Sequence, residues 1–189
     1  NISKKITFFL FLTFFFVGVF TFKDYGITID EEFQRASGFY WLNYVLNFTS
    51  FENLKSIVDE LILKPKEFTM PPPETYNQWG IIFDLPMAFL EVIFEIKDPK
   101  NYYHLRHLFN FLIFFIASIF FFKLLFNRFS NYNVSIIGTL FYVLSPRIYG
   151  NSFYNNKDLI FLSLLTIALY FCFKLFNKIK FKNLFFFSF

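Results

Sequence analysis

Residues 6–22 read ITFFLFLTFFFVGVFTF, 17 residues without a charged side chain, and Lys4 and Lys5 precede them. As a helix at 1.5 Å per residue this run is roughly 25 Å long, just enough to cross a bilayer core. A soluble core does not need such a run. A signal peptide shares the layout, but no small-x-small cleavage pattern follows; the next residues are Thr21-Phe22-Lys23-Asp24. The run reads as an uncleaved first membrane span. It decides the fold class: an all-α integral membrane protein.

Composition agrees. Hydrophobic residues make up 56% of the 189-residue chain and charged residues only 17%, against about 25% charged in ordinary soluble domains. Disorder is excluded, because low hydrophobicity is its signature. The 36 Phe residues mark the bilayer. Phe, Lys, Asn and Ile are all frequent, as AT-rich coding produces, so Phe itself needs no special role.

Three more apolar runs follow: 105–126, 134–149 and 159–176, and a further one starts at 184. The chain begins with Asn and stops inside that last run, so it is expected to be the N-terminal part of a longer protein. Residues 23–104 form a long polar loop with amphipathic stretches around 33–48 and 51–63 and a break at Pro71-Pro72-Pro73. These predict short helices on the membrane surface. Residues 79–96 are apolar, but Asp84, Glu91 and Glu95 interrupt them. Their spacing stacks the acids in one stripe on a helix, which suits an interfacial helix better than a span.

Charge sets the orientation. Residues 23–103 carry 13 acids and 7 bases, a balance of −6; the rest carries 11 bases and one acid, Asp158, a balance of +10. With Lys4 and Lys5 in the cytoplasm, Lys123, Arg128, Lys174, Lys178, Lys180 and Lys182 also fall inside, and the acidic loop and residues 150–158 fall outside. The bases sit at the ends of apolar runs, so nucleic acid is not an expected partner. A single cysteine, Cys172, leaves no intrachain disulfide and no cysteine-based metal site.

Two acidic features thus fall on the external side: Asp30-Glu31-Glu32, soon after the first span, and Asp158, at the start of the fourth. Each has a structural explanation, as a solvated loop, a helix N-terminus or a span boundary. The stretch Ser145-Pro146-Arg147-Ile148-Tyr149-Gly150-Asn151-Ser152-Phe153-Tyr154-Asn155-Asn156-Lys157-Asp158 leaves a span with an Arg and ends on the Asp. It resembles the second external loop of the GT-C glycosyltransferases, polytopic enzymes that use polyprenyl-phosphate-linked sugars. Ile27-Thr28-Ile29-Asp30-Glu31 is similar to the Asp-Glu motif of protein O-mannosyltransferases and lipid A aminoarabinose transferases. His104-Leu105-Arg106 is similar to the Arg commonly seen at the outer start of the second span, and the order of spans and loops matches over nearly the whole chain.

The resemblance implies an enzyme that transfers a hexosyl or pentosyl group from a polyprenyl-phosphate carrier to a hydroxyl of a protein, lipid or glycan acceptor. It implies Asp30 as the base that takes the acceptor proton, with Glu31 orienting it or bonding the sugar. The lipid-phosphate leaving group needs cations, and Arg35, Arg106, Arg147 and Lys157 are the candidates, with Asp158 beside them. The oligosaccharyltransferase branch has Asp-x-Asp in the equivalent loop and uses it to help bind a divalent metal. Here the triplet is Asn156-Lys157-Asp158, one carboxylate fewer and one cation more. Whether Asp158 holds a metal or Lys157 replaces it stays open. His104 and His107 sit at i, i+3, but two interfacial histidines are a weak ligand signal. The resemblance also implies the bacterial plasma membrane, with the active site outside. The other reading is a non-enzymatic polytopic protein, a transporter or lipid-handling subunit. It fits less well, because transporters keep ionisable residues inside their spans.

Overall fold

The computed structural model describes residues 2–62 and 80–177. Among these every regular element is an α-helix: α1 (Ile2–Thr21), α2 (Ile29–Leu46), α3 (Glu52–Ile62), α4 (Asp84–Ile93), α5 (Pro99–Phe129), α6 (Tyr132–Leu144), α7 (Pro146–Tyr154) and α8 (Asp158–Asn177). The chain is an all-α membrane protein. Helices α1, α5 and α8 are long and apolar enough to cross a bilayer. The Pro71–Pro73 break, the lysines at 178, 180 and 182, and the run from 184 lie outside the described residues.

The helices form two compact units, residues 1–25 with 107–189, and residues 26–106. The first holds the apolar helices. Its core gathers Phe14 of α1, Phe111 and Phe114 of α5, Val143 of α6, Phe153 of α7 and Leu159 of α8. The Phe111 and Phe153 rings stack 5.2 Å apart, and Tyr25 lies on Phe153 at 4.1 Å. Gly18 lets α1 approach, because a Cβ there would fall on the Phe111 ring. Outward rings such as Phe8 and Phe20 are 63% and 76% exposed, which is the condition of a lipid-facing side chain.

The turn between α5 and α6 is built from polar residues. Ser130 takes a left-handed φ of 51°, and the Asn131 side chain accepts from the N–H groups of Asn133 (2.9 Å) and Val134 (3.3 Å), capping α6.

One expectation needs correcting. The apolar run 134–149 is not one helix. Helix α6 stops at Leu144 after 13 residues, Ser145 has ψ 118°, and Pro146 opens α7. Proline has no N–H to continue the ladder and pushes the residue before it out of the helical region. At 1.5 Å per residue α6 is roughly 20 Å long.

In the second unit α2, α3 and α4 pack on one another around Phe39, Leu42, Leu46, Val58, Ala88 and Val92. At Gly38 the two backbones of α2 and α4 nearly touch, since a Cβ would collide with the Asp84 carbonyl. The amphipathic stretches expected around 33–48 and 51–63 are thus helical as Ile29–Leu46 and Glu52–Ile62, with Phe39, Leu42, Leu46 and Val58 packed on one another and on α4.

Candidate functional site

Helix α2 begins at the acidic triplet. Thr28 precedes it with extended backbone. The Glu31 carboxylate turns back to accept from the Thr28 N–H at 2.8 Å and from its hydroxyl at 3.2 Å. This is the reciprocal box that closes a helix start, and it buries Glu31 to 1% exposure. Glu31, expected beside the sugar, is therefore engaged in holding the helix start. Asp30 next to it is exposed, on the first turn, where acids favour the helix dipole.

One turn further on, Arg35 donates from Nε to Glu91 Oε2 at 2.8 Å. Its guanidinium lies 4.6 Å from the Phe39 ring centroid and 3.8 Å from that of Tyr102. Arg106 of α5 donates from Nε to the other Glu91 oxygen at 2.7 Å and from Nη1 to Asp84 Oδ1 at 3.1 Å. Arg106, Asp84 and Glu91 are each at most 2% exposed. The two charges of each sign balance. Burial nevertheless pushes the Asp84 carboxyl up to about 7, although the adjacent Arg106 pulls it the other way. Nη2 of Arg106 is buried without a hydrogen-bond partner.

This network bears on two expectations. The acids of α4 were expected to form a polar stripe facing the membrane surface. Instead, Asp84 and Glu91 point inward at arginines. Glu95 leaves the stripe altogether. It stands past the helix end with φ 46°, in a Schellman turn where Ile96 N–H donates to the Glu91 carbonyl and Glu95 N–H to that of Val92. Arg35 and Arg106 were expected to meet a phosphate. Both guanidiniums are answered by carboxylates, because an unpaired charge at this depth is far more costly than a paired one.

In the first unit Asp158 opens α8 and is tied to Asn155 in the turn before it. Its N–H donates to Asn155 Oδ1 at 2.9 Å, and its own carboxylate accepts from Asn155 Nδ2 at 3.2 Å. The carboxylate remains exposed, and Lys157 beside it is half-buried. Arg147 is exposed on the first turn of α7. His107 is buried with Nδ1 3.3 Å from the Phe22 carbonyl, so its ring is tied to the end of the α1 segment. Among the described residues no three His, Cys, Asp or Glu side chains come together in a way that could hold a metal ion.

Between α1 and the α6–α7 corner lies an open, apolar groove of about 670 Å³, lined among others by Ile6, Thr13, Val17, Val143, Pro146 and Tyr149. No motif in the sequence points to it. No family model, curated protein or solved structure matches the chain.

Proposed function

We propose that the chain belongs to a membrane glycosyltransferase that moves a sugar from a polyprenyl-phosphate carrier to an acceptor hydroxyl at the external face of a bacterial plasma membrane. The observation that carries this reading is Asp30: an exposed carboxylate on a helix that is fixed at its start by Glu31 and one turn later by the Arg35–Glu91–Arg106 network. A base works only if it is held within reach of the proton it removes. In the reaction the acceptor O–H gives its proton to Asp30 and its oxygen bonds to the sugar C1. The bond from C1 to the carrier phosphate oxygen breaks, and polyprenyl phosphate leaves with the electron pair. Arg147 and Lys157 are the cations assigned to that phosphate, now that Arg35 and Arg106 are matched by acids.

The test is transfer by the full-length protein with Asp30→Asn. Transfer is expected to vanish while membrane insertion and expression stay unchanged. Substantial residual transfer sinks the assignment of Asp30. Binding of a polyprenyl-phosphate sugar by the unmodified protein without any turnover favours the lipid-handling alternative.

A further inference from the structure

We infer that the outer face of α4, Ile82 with Pro86, Phe89 and Ile93, is sunk into the acyl chains of the adjoining lipid leaflet, so that the bilayer is a binding partner of residues 26–106. The inference stands apart from the sugar-transfer reading.

Helix α4 is amphipathic in the reverse sense of a water-facing helix. The Leu85 N–H donates to the Ile81 carbonyl at 3.1 Å, which carries the helical turn back over Ile82. Positions 82, 86, 89 and 93 then fall within about 60° of one another on the helix. All four side chains are exposed, Ile82, Phe89 and Ile93 by 41–51%, and the stripe carries no polar group. Asp84 and Glu91 lie on the opposite side, about half a turn round, where they are buried against Arg106 and Arg35. Water outside would draw carboxylates outward and apolar side chains inward. Hydrocarbon outside does the opposite, because it offers a carboxylate neither solvent nor a cation.

Helix α3 of the same unit shows the ordinary pattern. Glu52, Asn53, Ser56 and Glu60 are its exposed residues, and ion pairs run over its surface, Lys55 to Glu52 at 3.4 Å and Lys97 to Glu60 at 3.0 Å. One surface of the unit is therefore built for water and another for an apolar medium. The chain itself says which medium is at hand. Residues 94–98 alone separate α4 from α5, a helix long and apolar enough to cross a bilayer. Fully extended, that link keeps Ile93 within about 20 Å of the start of α5. From Ile82 to Ile93 the stripe is roughly 16 Å long, too short to cross a core and of a length to lie along it. Lipid then holds α4 from outside while Glu91 and Asp84 tie it to α2 and α5 from within, which moors the helix that carries Asp30.

The experiment uses the full-length protein without native cysteines, Cys172→Ser included, in phosphatidylcholine nanodiscs holding one copy each. Nitroxide labels are placed at Phe89→Cys and Ile93→Cys, and at Ser56→Cys on α3 as the water-facing reference. Collisions with oxygen, which enters hydrocarbon, are compared with collisions with a charged nickel chelate, which does not. Relative to Ser56→Cys, the ratio of oxygen to nickel collisions at 89 and 93 should rise about tenfold. Ile82→Cys, ahead of the helix, should read the same without altering α4 itself. A water-like ratio at 89 and 93 overturns the inference. So does shielding from both reagents, which means that protein covers the face, and so does shielding found only in discs holding two copies, which assigns the face to self-association. Sugar transfer with water-like labels leaves the enzyme reading standing, and lipid-like labels without transfer leave the mooring standing.

Discussion

Glu91 Oε1 and Arg106 Nε are 2.7 Å apart, joining α4 to the start of α5 at a point that water does not reach. The second oxygen of the same carboxylate takes Arg35 of α2. Three helices of residues 26–106 therefore meet on one carboxylate. Glu91→Gln keeps the shape and removes the charge that both guanidiniums depend on. Breaking a buried pair from one side costs about 3–5 kcal/mol. Thermal unfolding of the detergent-solubilised protein should show this loss, and Glu95→Gln, which is exposed, should show none.

Gly38 offers a separate probe of the same contact. A methyl at this position meets the Asp84 carbonyl and must push α2 and α4 apart. Gly38→Ala should destabilise by about 1–3 kcal/mol, even though alanine is the better helix former. A stabilised variant would contradict the close approach.

Asp84 gives the second unit a pH dependence of defined sign. Its carboxyl is raised from 3.8 to about 7, so the unfolded chain releases this proton first as pH rises. The stability linked to Asp84 is complete below about pH 4 and falls as pH rises through 7. Asp84→Asn should flatten the stability profile between pH 4 and 7. Chemical unfolding followed at several pH values in that window checks it.

The capping box at Thr28 and the side-chain tie at Asn155 are ordinary local structure and should respond as such. Thr28→Ala and Asn155→Ala should each cost about 1 kcal/mol. Glu95→Gly should have the opposite sign, gaining about 1 kcal/mol, because Glu95 occupies a left-handed backbone position that glycine takes without a Cβ clash. Denaturant midpoints of the three variants measure both directions.

The spans were legible because hydropathy acts over many residues at once. The runs 6–22, 105–126 and 159–176 correspond to α1, α5 and α8, each helix extending past its run at one end or both. The boundary at Pro146 was visible as a residue type but was outweighed by the apolar residues on either side. Of the expected stripe of Asp84, Glu91 and Glu95, the first two share one face of α4 and Glu95 lies past the helix end. The direction of that face was not legible, since periodicity says which residues share a face and nothing about what meets it. Arg35 and Arg106, 71 residues apart in sequence, become neighbours only through α4. Thr28-x-x-Glu31 and Asn155-x-x-Asp158 carry a helix-start pattern at the very places that the resemblance marks for chemistry. For Glu31 the structure uses the carboxylate to close the turn. Asp30 and Arg147 have no such engagement among the described residues.

The short α6 has a consequence for the lipid around it. A crossing built on roughly 20 Å of helix is about 10 Å short of a typical hydrocarbon core. Where α6 crosses, the lipid beside it thins to match. The mismatch makes bilayer thickness a control parameter. Short-chain lipids relieve the mismatch and long-chain lipids worsen it, at fractions of a kcal/mol per Å.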